Sequence, residues 1–93
     1  MMKERQIENK LKNRVESAGG LCLKFTSPGM AGVPDRLVLL PAGRLIFVEL
    51  KAPGEKLRPL QLKRKKQLES LGFKVYVIDS YKGIELFLEE VMA

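Results

Sequence analysis

Two apolar runs with a turn between them constrain this chain more than any other feature. DRLVLL (35–40) and RLIFVEL (44–50) are rich in Leu, Ile, Val and Phe, the composition of strands, and Pro41-Ala42-Gly43 separates them. Pro41 suits the second position of a type I turn, and Gly43 can take the left-handed conformation that closes a three-residue hairpin loop. The segment therefore reads as one tight β-hairpin. With Leu40 facing Arg44 across the loop, Asp35 falls opposite Glu49. A one-residue bulge would shift the pairing yet leave the two acids neighbours.

Directly opposed residues on one sheet face have Cβ atoms roughly 4.5–5.5 Å apart, close enough for two carboxylates to share a divalent cation. Lys51 lies two residues beyond Glu49 and shares that face, because side chains alternate along a strand. Like charges in direct opposition destabilise a sheet, so the arrangement invites a cation. The blander reading is that Asp35 follows a Pro turn while Glu49 and Lys51 decorate a solvated face. Pro-Asp and Glu-x-Lys are each common alone; their joint placement at opposed ends of one hairpin favours a site.

Composition narrows the chemistry. Ninety-three residues, 45% apolar and 30% charged, suit one globular domain spanning 1–93 with a modest core. No apolar run approaches the roughly 18 residues of a membrane span, and the N-terminal MMKERQIENK lacks the apolar centre of a signal peptide, so a soluble, cytoplasmic protein with no membrane partner is expected. The chain has no histidine, which excludes His-based triads and His-ligated metal nucleases. A single cysteine, Cys22 in LCLKF, excludes an internal disulfide and reads as core filler. Any catalysis here runs on carboxylates and lysine.

The formal charge is +6, and it is concentrated: residues 51–66 hold Lys51, Lys56, Arg58, Lys63, Arg64, Lys65 and Lys66 against Glu55 alone. Such a stretch, starting at the lysine of the acidic pair, is the footprint of a polyanion binder, although a basic run can also be a solvated helix face.

The remaining segments read as follows. Residues 3–18 form an amphipathic helix with Ile7, Leu11, Val15 and Ala18 on one stripe, Glu4 and Glu8 at its border, and Gly19-Gly20 as its stop. Leu21 to Phe25 is a strand, and TSPGMAGVP a loop leading to Asp35. Pro59 opens a helix to about Leu71 with Leu60, Leu68 and Leu71 inward and Lys63 to Lys66 largely outward. Phe73 to Ile78 is a last strand, and Ser80 caps a last helix carrying Ile84, Phe87, Leu88 and Val91. The expected order is α-β-β-β-α-β-α.

These residues resemble the PD-(D/E)XK nuclease superfamily, and most closely its virus-type replication-repair nuclease (VRR-NUC) branch in stand-alone phage or prophage form. The likeness covers a helix bearing a Glu, a Gly-Gly, LKFTSPGMAGVPDRLVLLPAGRLIFVELKAPG, PLQ opening a helix, and LGFKVYVIDS. It implies an α/β fold with the restriction-endonuclease-like αβββαβ core, a mixed central sheet flanked by helices, and a C-terminal helix. It also implies Mg²⁺-dependent hydrolysis of DNA phosphodiesters, with Mn²⁺ as a substitute, on branched DNA such as four-way (Holliday) junctions by a homodimer. By the same resemblance Asp35 and Glu49 are metal-binding acids and Lys51 the motif lysine. Glu8, from its interval to Gly19, is the first-helix acid, with Glu4 as the alternative. Gln61 is a supporting glutamine on the helix after the motif.

Mg²⁺ takes one or two carboxylates plus water and phosphate oxygens, so Asp35, Glu49 and the backbone carbonyl of Leu50 are the expected ligands, and by the resemblance Glu8 is expected to hold a second metal or a metal-bound water. Lys24, Lys56, Arg58, Lys63, Lys65 and Lys66 are the expected DNA contacts. Exposed faces of the terminal helices, or Leu62, are candidate dimer contacts. Two rival readings lack the chemistry: a basic nucleic-acid-binding module with a nuclease-like fold, and a small interaction domain whose charges only keep it soluble.

Overall fold

The structure is a computed structural model and describes residues 3–92. Its elements are α1 (Glu4–Ser17), β1 (Leu21–Lys24), β2 (Arg36–Leu40), β3 (Arg44–Leu50), α2 (Pro59–Ser70), β4 (Val75–Ile78) and α3 (Tyr81–Met92), with a 3₁₀ turn at Pro41–Gly43. The four strands form one sheet in the order β1-β2-β3-β4. β1, β2 and β3 pair antiparallel, and β4 joins β3 parallel after the α2 crossover. The αβββαβ order with a C-terminal helix is the one the resemblance implies.

The β2–β3 ladder runs from Leu40 opposite Arg44 to Arg36 opposite Val48, the register expected from the loop. The turn itself differs from the type I expectation, because Ala42 as well as Gly43 adopts positive φ, 68° and 71°. A left-handed Ala is unfavourable by about 1 kcal/mol. It is tolerated here because the apolar strands on either side determine the pairing.

Alternation along the strands sorts the side chains between two faces. Cys22, Val38, Leu40, Ile46, Val48, Leu50 and Ile78 point to the face covered by α1 and α3. There they form one core with Ile7, Leu11 and Val15 of α1 and Ile84, Phe87, Leu88 and Val91 of α3. Arg14 joins these two helices through a two-pronged contact with Glu85, at 3.0 and 2.6 Å. Ser80 caps α3 by accepting the Gly83 N–H at 2.9 Å, and Cys22 is buried core filler, both as expected.

The other face is covered only in part, by α2. This helix has no buried residue: Leu60 and Leu71 are exposed and Leu68 is half-buried, whereas all three were expected to face inward. The four consecutive basic residues 63–66 leave the helix without a continuous apolar stripe, so it meets the sheet along a narrow line. Strand β4 also begins at Val75, two residues later than expected. Phe73 instead packs edge-on against Phe47, with centroids 5.6 Å apart. Among the described residues no helix is long and apolar enough to cross a membrane.

Candidate active site

Extending the β2–β3 register one step beyond Arg36 and Val48 places Asp35 beside Glu49. Backbone on both sides holds Asp35 in place. Its carbonyl accepts the Phe25 N–H and its Oδ2 accepts the Leu50 N–H, each at 2.8 Å. Glu49 is only 3% exposed and pairs with Val77 of β4. Lys51, 6% exposed, donates its backbone N–H to the carbonyl of Ile78 at 3.0 Å, which fixes the end of β3. The expected trio therefore converges at one end of the sheet.

The electrostatics of this trio are unbalanced. The Glu49 carboxyl is pushed up to about 9, first by burial, then by hydrogen bonding with Asp35 and by the Asp35 charge. The charge of Lys51 opposes the rise without cancelling it. Among the described residues neither Asp35 nor Glu49 takes part in a salt bridge. A buried carboxyl facing a second one, short of positive charge, is the environment a hard divalent cation would relieve. The donor set therefore fits Mg²⁺.

The first-helix acid is where expectation and structure part. Glu8 Oε2 lies 2.8 Å from Nε of Arg36, and Arg36 NH1 donates to the Cys22 carbonyl at 2.9 Å. Arg36 neighbours Asp35 in sequence, so alternation turns it to the opposite face, the one on which α1 packs. Glu8 is thus tied beneath the sheet instead of joining the acidic pair. Glu4, one turn earlier, is the acid that senses the site. Its carboxyl is raised first by burial and next by the charge of Asp35, with Lys51 opposing. Among the described residues no three acidic, His or Cys side chains form a complete metal cluster, so protein carboxylates would fill only part of a coordination shell.

Helix α2 and the loop 26–34 flank the acids. Gly32 has φ +84°, and a Cβ there would lie 2.7 Å from Leu60 Cγ, so loop and helix touch at a point where only glycine fits. Arg64 fastens the same loop by donating Nε–H to the Ala31 carbonyl at 2.8 Å, and it also reaches Gln67 at 2.9 Å. Gln61, expected beside the acids, caps α2 by accepting the Arg58 N–H at 2.9 Å. Of the expected DNA contacts, Lys63 and Lys66 are exposed on one stripe of α2, and Lys56 and Arg58 are exposed on the connector before it. Lys65 is tied to Glu69 at 3.0 Å. Lys24 is exposed at the end of β1, opposite Arg36 in the ladder.

Sequence reasoning missed the roles of Arg36 and Arg64. For Arg36 a signal was available: an arginine at an inward position of an apolar strand requires a carboxylate partner, and Glu8 lies on the helix that packs there. For Arg64 there was none, because a backbone carbonyl acceptor leaves no trace in side-chain identity.

Comparison with known proteins bears on this geometry. The VRR-NUC domain model matches residues 2–82, which include Glu4, Asp35, Glu49, Lys51 and all of α2. The chain belongs to the VRR-NUC family of nuclease domains. A relative named "Putative nuclease p44", from Acyrthosiphon pisum secondary endosymbiont phage 1, is 52% identical over 80 residues, 86% of each chain. A solved structure described as a VRR-NUC domain superimposes with a TM-score of 0.89 at 36% identity, covering 96% of this chain and 97% of its own. The VRR-NUC match ends at the start of α3, so most of that helix, with its core residues Ile84, Phe87, Leu88 and Val91, lies beyond it.

Proposed function

We propose that this VRR-NUC protein is a Mg²⁺-dependent, structure-selective DNA endonuclease that hydrolyses phosphodiester bonds in branched DNA such as four-way junctions, as a homodimer. The observation that carries the proposal is the opposed pair of buried Glu49 and half-buried Asp35 with Lys51 alongside, in a chain whose α2 carries an exposed basic stripe. The phage origin of its relative supports a setting in the cytoplasm of a bacterial host, with a phage or prophage gene.

Asp35, Glu49 and the Leu50 carbonyl would hold the cation, with Glu4 reaching it through water in place of Glu8. Mn²⁺ suits the same oxygen donors. When bound, the ion supplies Lewis-acid polarisation of the scissile phosphate and lowers the pKa of water held beside it. Glu49 would hold the ion as its carboxylate, since a neutral acid is a poor ligand. Lys51, fixed by its backbone bond to β4, orients the attacking water and offsets negative charge developing on the phosphorus oxygens. Asp35, accepting the Phe25 N–H at its carbonyl and the Leu50 N–H at its carboxylate, holds that carboxylate in place. Lys63, Lys66, Lys56 and Arg58 grip the phosphodiester backbone without reading bases, which suits recognition of DNA shape.

The test is incubation of purified protein with a labelled four-way junction, a flap and a plain duplex, with and without Mg²⁺. Metal-dependent cleavage with the junction preferred is expected. Tight binding with no cleavage at any Mg²⁺ or Mn²⁺ concentration refutes the enzyme and leaves a non-catalytic basic binding module.

A further inference from the structure

A recess of about 280 Å³ lies between the loop 26–34 and helix α2. Phe25, Met30 and Val33 wall it on one side and Leu68 and Leu71 on the other, with Arg64 and Gln67 at its polar edge. Contacts within the chain set its shape. Arg64 pins the loop through the Ala31 carbonyl, Gly32 closes on Leu60, and Phe47 holds the Phe25 ring at a centroid distance of 5.8 Å. A preformed apolar cleft with a few fixed polar groups is the usual form of a small-ligand site. The polar edge here is rich in donors. Arg64 gives Nε–H to Ala31 and NH1 to the Gln67 side-chain oxygen, so that oxygen is occupied. Among the described residues the Arg64 NH2 and the Gln67 amide N–H groups donate to no protein acceptor, and they await one from outside.

We infer that the recess takes an unstacked nucleobase from the DNA strand held at the acidic pair. The inference rests on the nuclease reading above and adds to it a source of structure selectivity. Position is the first argument. The Phe25 N–H bonds the Asp35 carbonyl at 2.8 Å, which extends the β1–β2 register one step beyond Lys24 and Arg36. Phe25 thus stands opposite Asp35 on the same sheet face, with Cβ atoms about 4.5–5.5 Å apart. One wall of the recess is therefore a single strand over from the acids. Gln67 also lines the adjoining groove that holds Lys63 and Lys66, so a backbone lying on those lysines passes along the rim. Chemistry is the second argument. A nucleobase has a planar face for Phe25 and Met30, and ring-nitrogen or carbonyl acceptors on its edge for Arg64 and Gln67. An apolar side chain of a partner protein would leave those donors unanswered. Unpaired bases leave the stack at least cost, so such a site favours branched DNA over a plain duplex.

The test reads binding in EDTA instead of cleavage, so either reading can fail without the other. Fluorescence anisotropy compares labelled single strands of about ten nucleotides, one wholly abasic and the other abasic save for one central adenine. The two carry the same backbone charge, and the single base can slide into register with the recess. Restoring that base is expected to tighten wild-type binding by about tenfold or more, the lower end of what stacking on an aromatic ring supplies. Phe25→Ala is expected to cut this gain below about threefold while leaving affinity for the abasic strand within about twofold. If circular dichroism shows that Phe25→Ala does not fold, Met30→Ala with Leu71→Ala takes its place; these side chains are 47% and 73% exposed, and the same loss of gain is expected. Equal wild-type affinity for the two strands overturns the inference and leaves the recess to a side chain of a protein partner. A full gain that survives in the folded variants overturns it as well.

Discussion

Replacing Glu49 by Gln tests the electrostatic state of the site without any substrate. The Glu49 carboxyl is pushed up to about 9 by burial and by Asp35, against an ordinary 4.5. Between those limits the folded chain holds a proton there that the unfolded chain has released. A raised carboxyl pKa means folding takes up a proton, so stability falls as pH rises from about 4.5 to about 9. One proton is worth about 1.4 kcal/mol per pH unit, so from pH 6 to pH 8 the wild type loses about 2.7 kcal/mol from this group. Glutamine resembles the protonated acid in shape and cannot ionise. The difference in unfolding free energy between Glu49→Gln and wild type should therefore grow by that amount over the two units. Urea denaturation in EDTA measures it, and taking the difference removes the titrations common to both proteins. Adding Mg²⁺ at pH 8 should raise the stability of the wild type but not of the variant, because a ligand of the folded state stabilises by mass action. A difference that stays flat from pH 6 to 8 would refute the assignment of a neutral, buried Glu49.

Other expectations follow from individual contacts. Arg36→Met removes the partner of a partly buried Glu8 carboxylate and should cost about 2–3 kcal/mol of stability in urea unfolding, with Glu8→Gln added to it restoring part of the loss. Gly32→Ala meets both a positive φ and Leu60, and should lower stability by at least about 1 kcal/mol and slow cleavage by disturbing the loop that leads into Asp35. Lys63→Gln with Lys66→Gln should reduce the slope of log K against log salt on duplex DNA by about 1.8, whereas Lys65→Gln should change it less, because Lys65 is already paired with Glu69.

The parts of this molecule legible in its sequence are those governed by periodicity and turn chemistry. The hairpin register follows from loop length and from apolar side chains whose displacement by one residue would invert both faces. That is why Asp35 and Glu49 can be paired before any coordinates. The inner residues of α1 and α3 follow from helical spacing in the same way. Helix α2 defeats the approach. Its leucines invite burial, yet the basic block between them prevents a continuous apolar stripe, and Leu60 and Leu62 remain exposed, as does Leu71 just past its end. Glu4 and Glu8 share a helix border, and only the inward turn of Arg36 decides between them. That choice depends on tertiary pairing that a single segment does not encode. The exposed leucines of β1 have the same origin: strands that are apolar on both faces promise two covers, and α2, with no buried residue, supplies only part of the second.

The central claim is that Asp35 and Glu49 together hold the ion that makes phosphodiester hydrolysis possible. Asp35→Asn tests it most directly, with junction cleavage and junction binding measured on the same preparation in Mg²⁺. The account predicts binding within about threefold of wild type and cleavage reduced by about 10³-fold or more, equivalent to about 4 kcal/mol of transition-state stabilisation. Cleavage by the variant within tenfold of wild type, at unchanged binding, would contradict it.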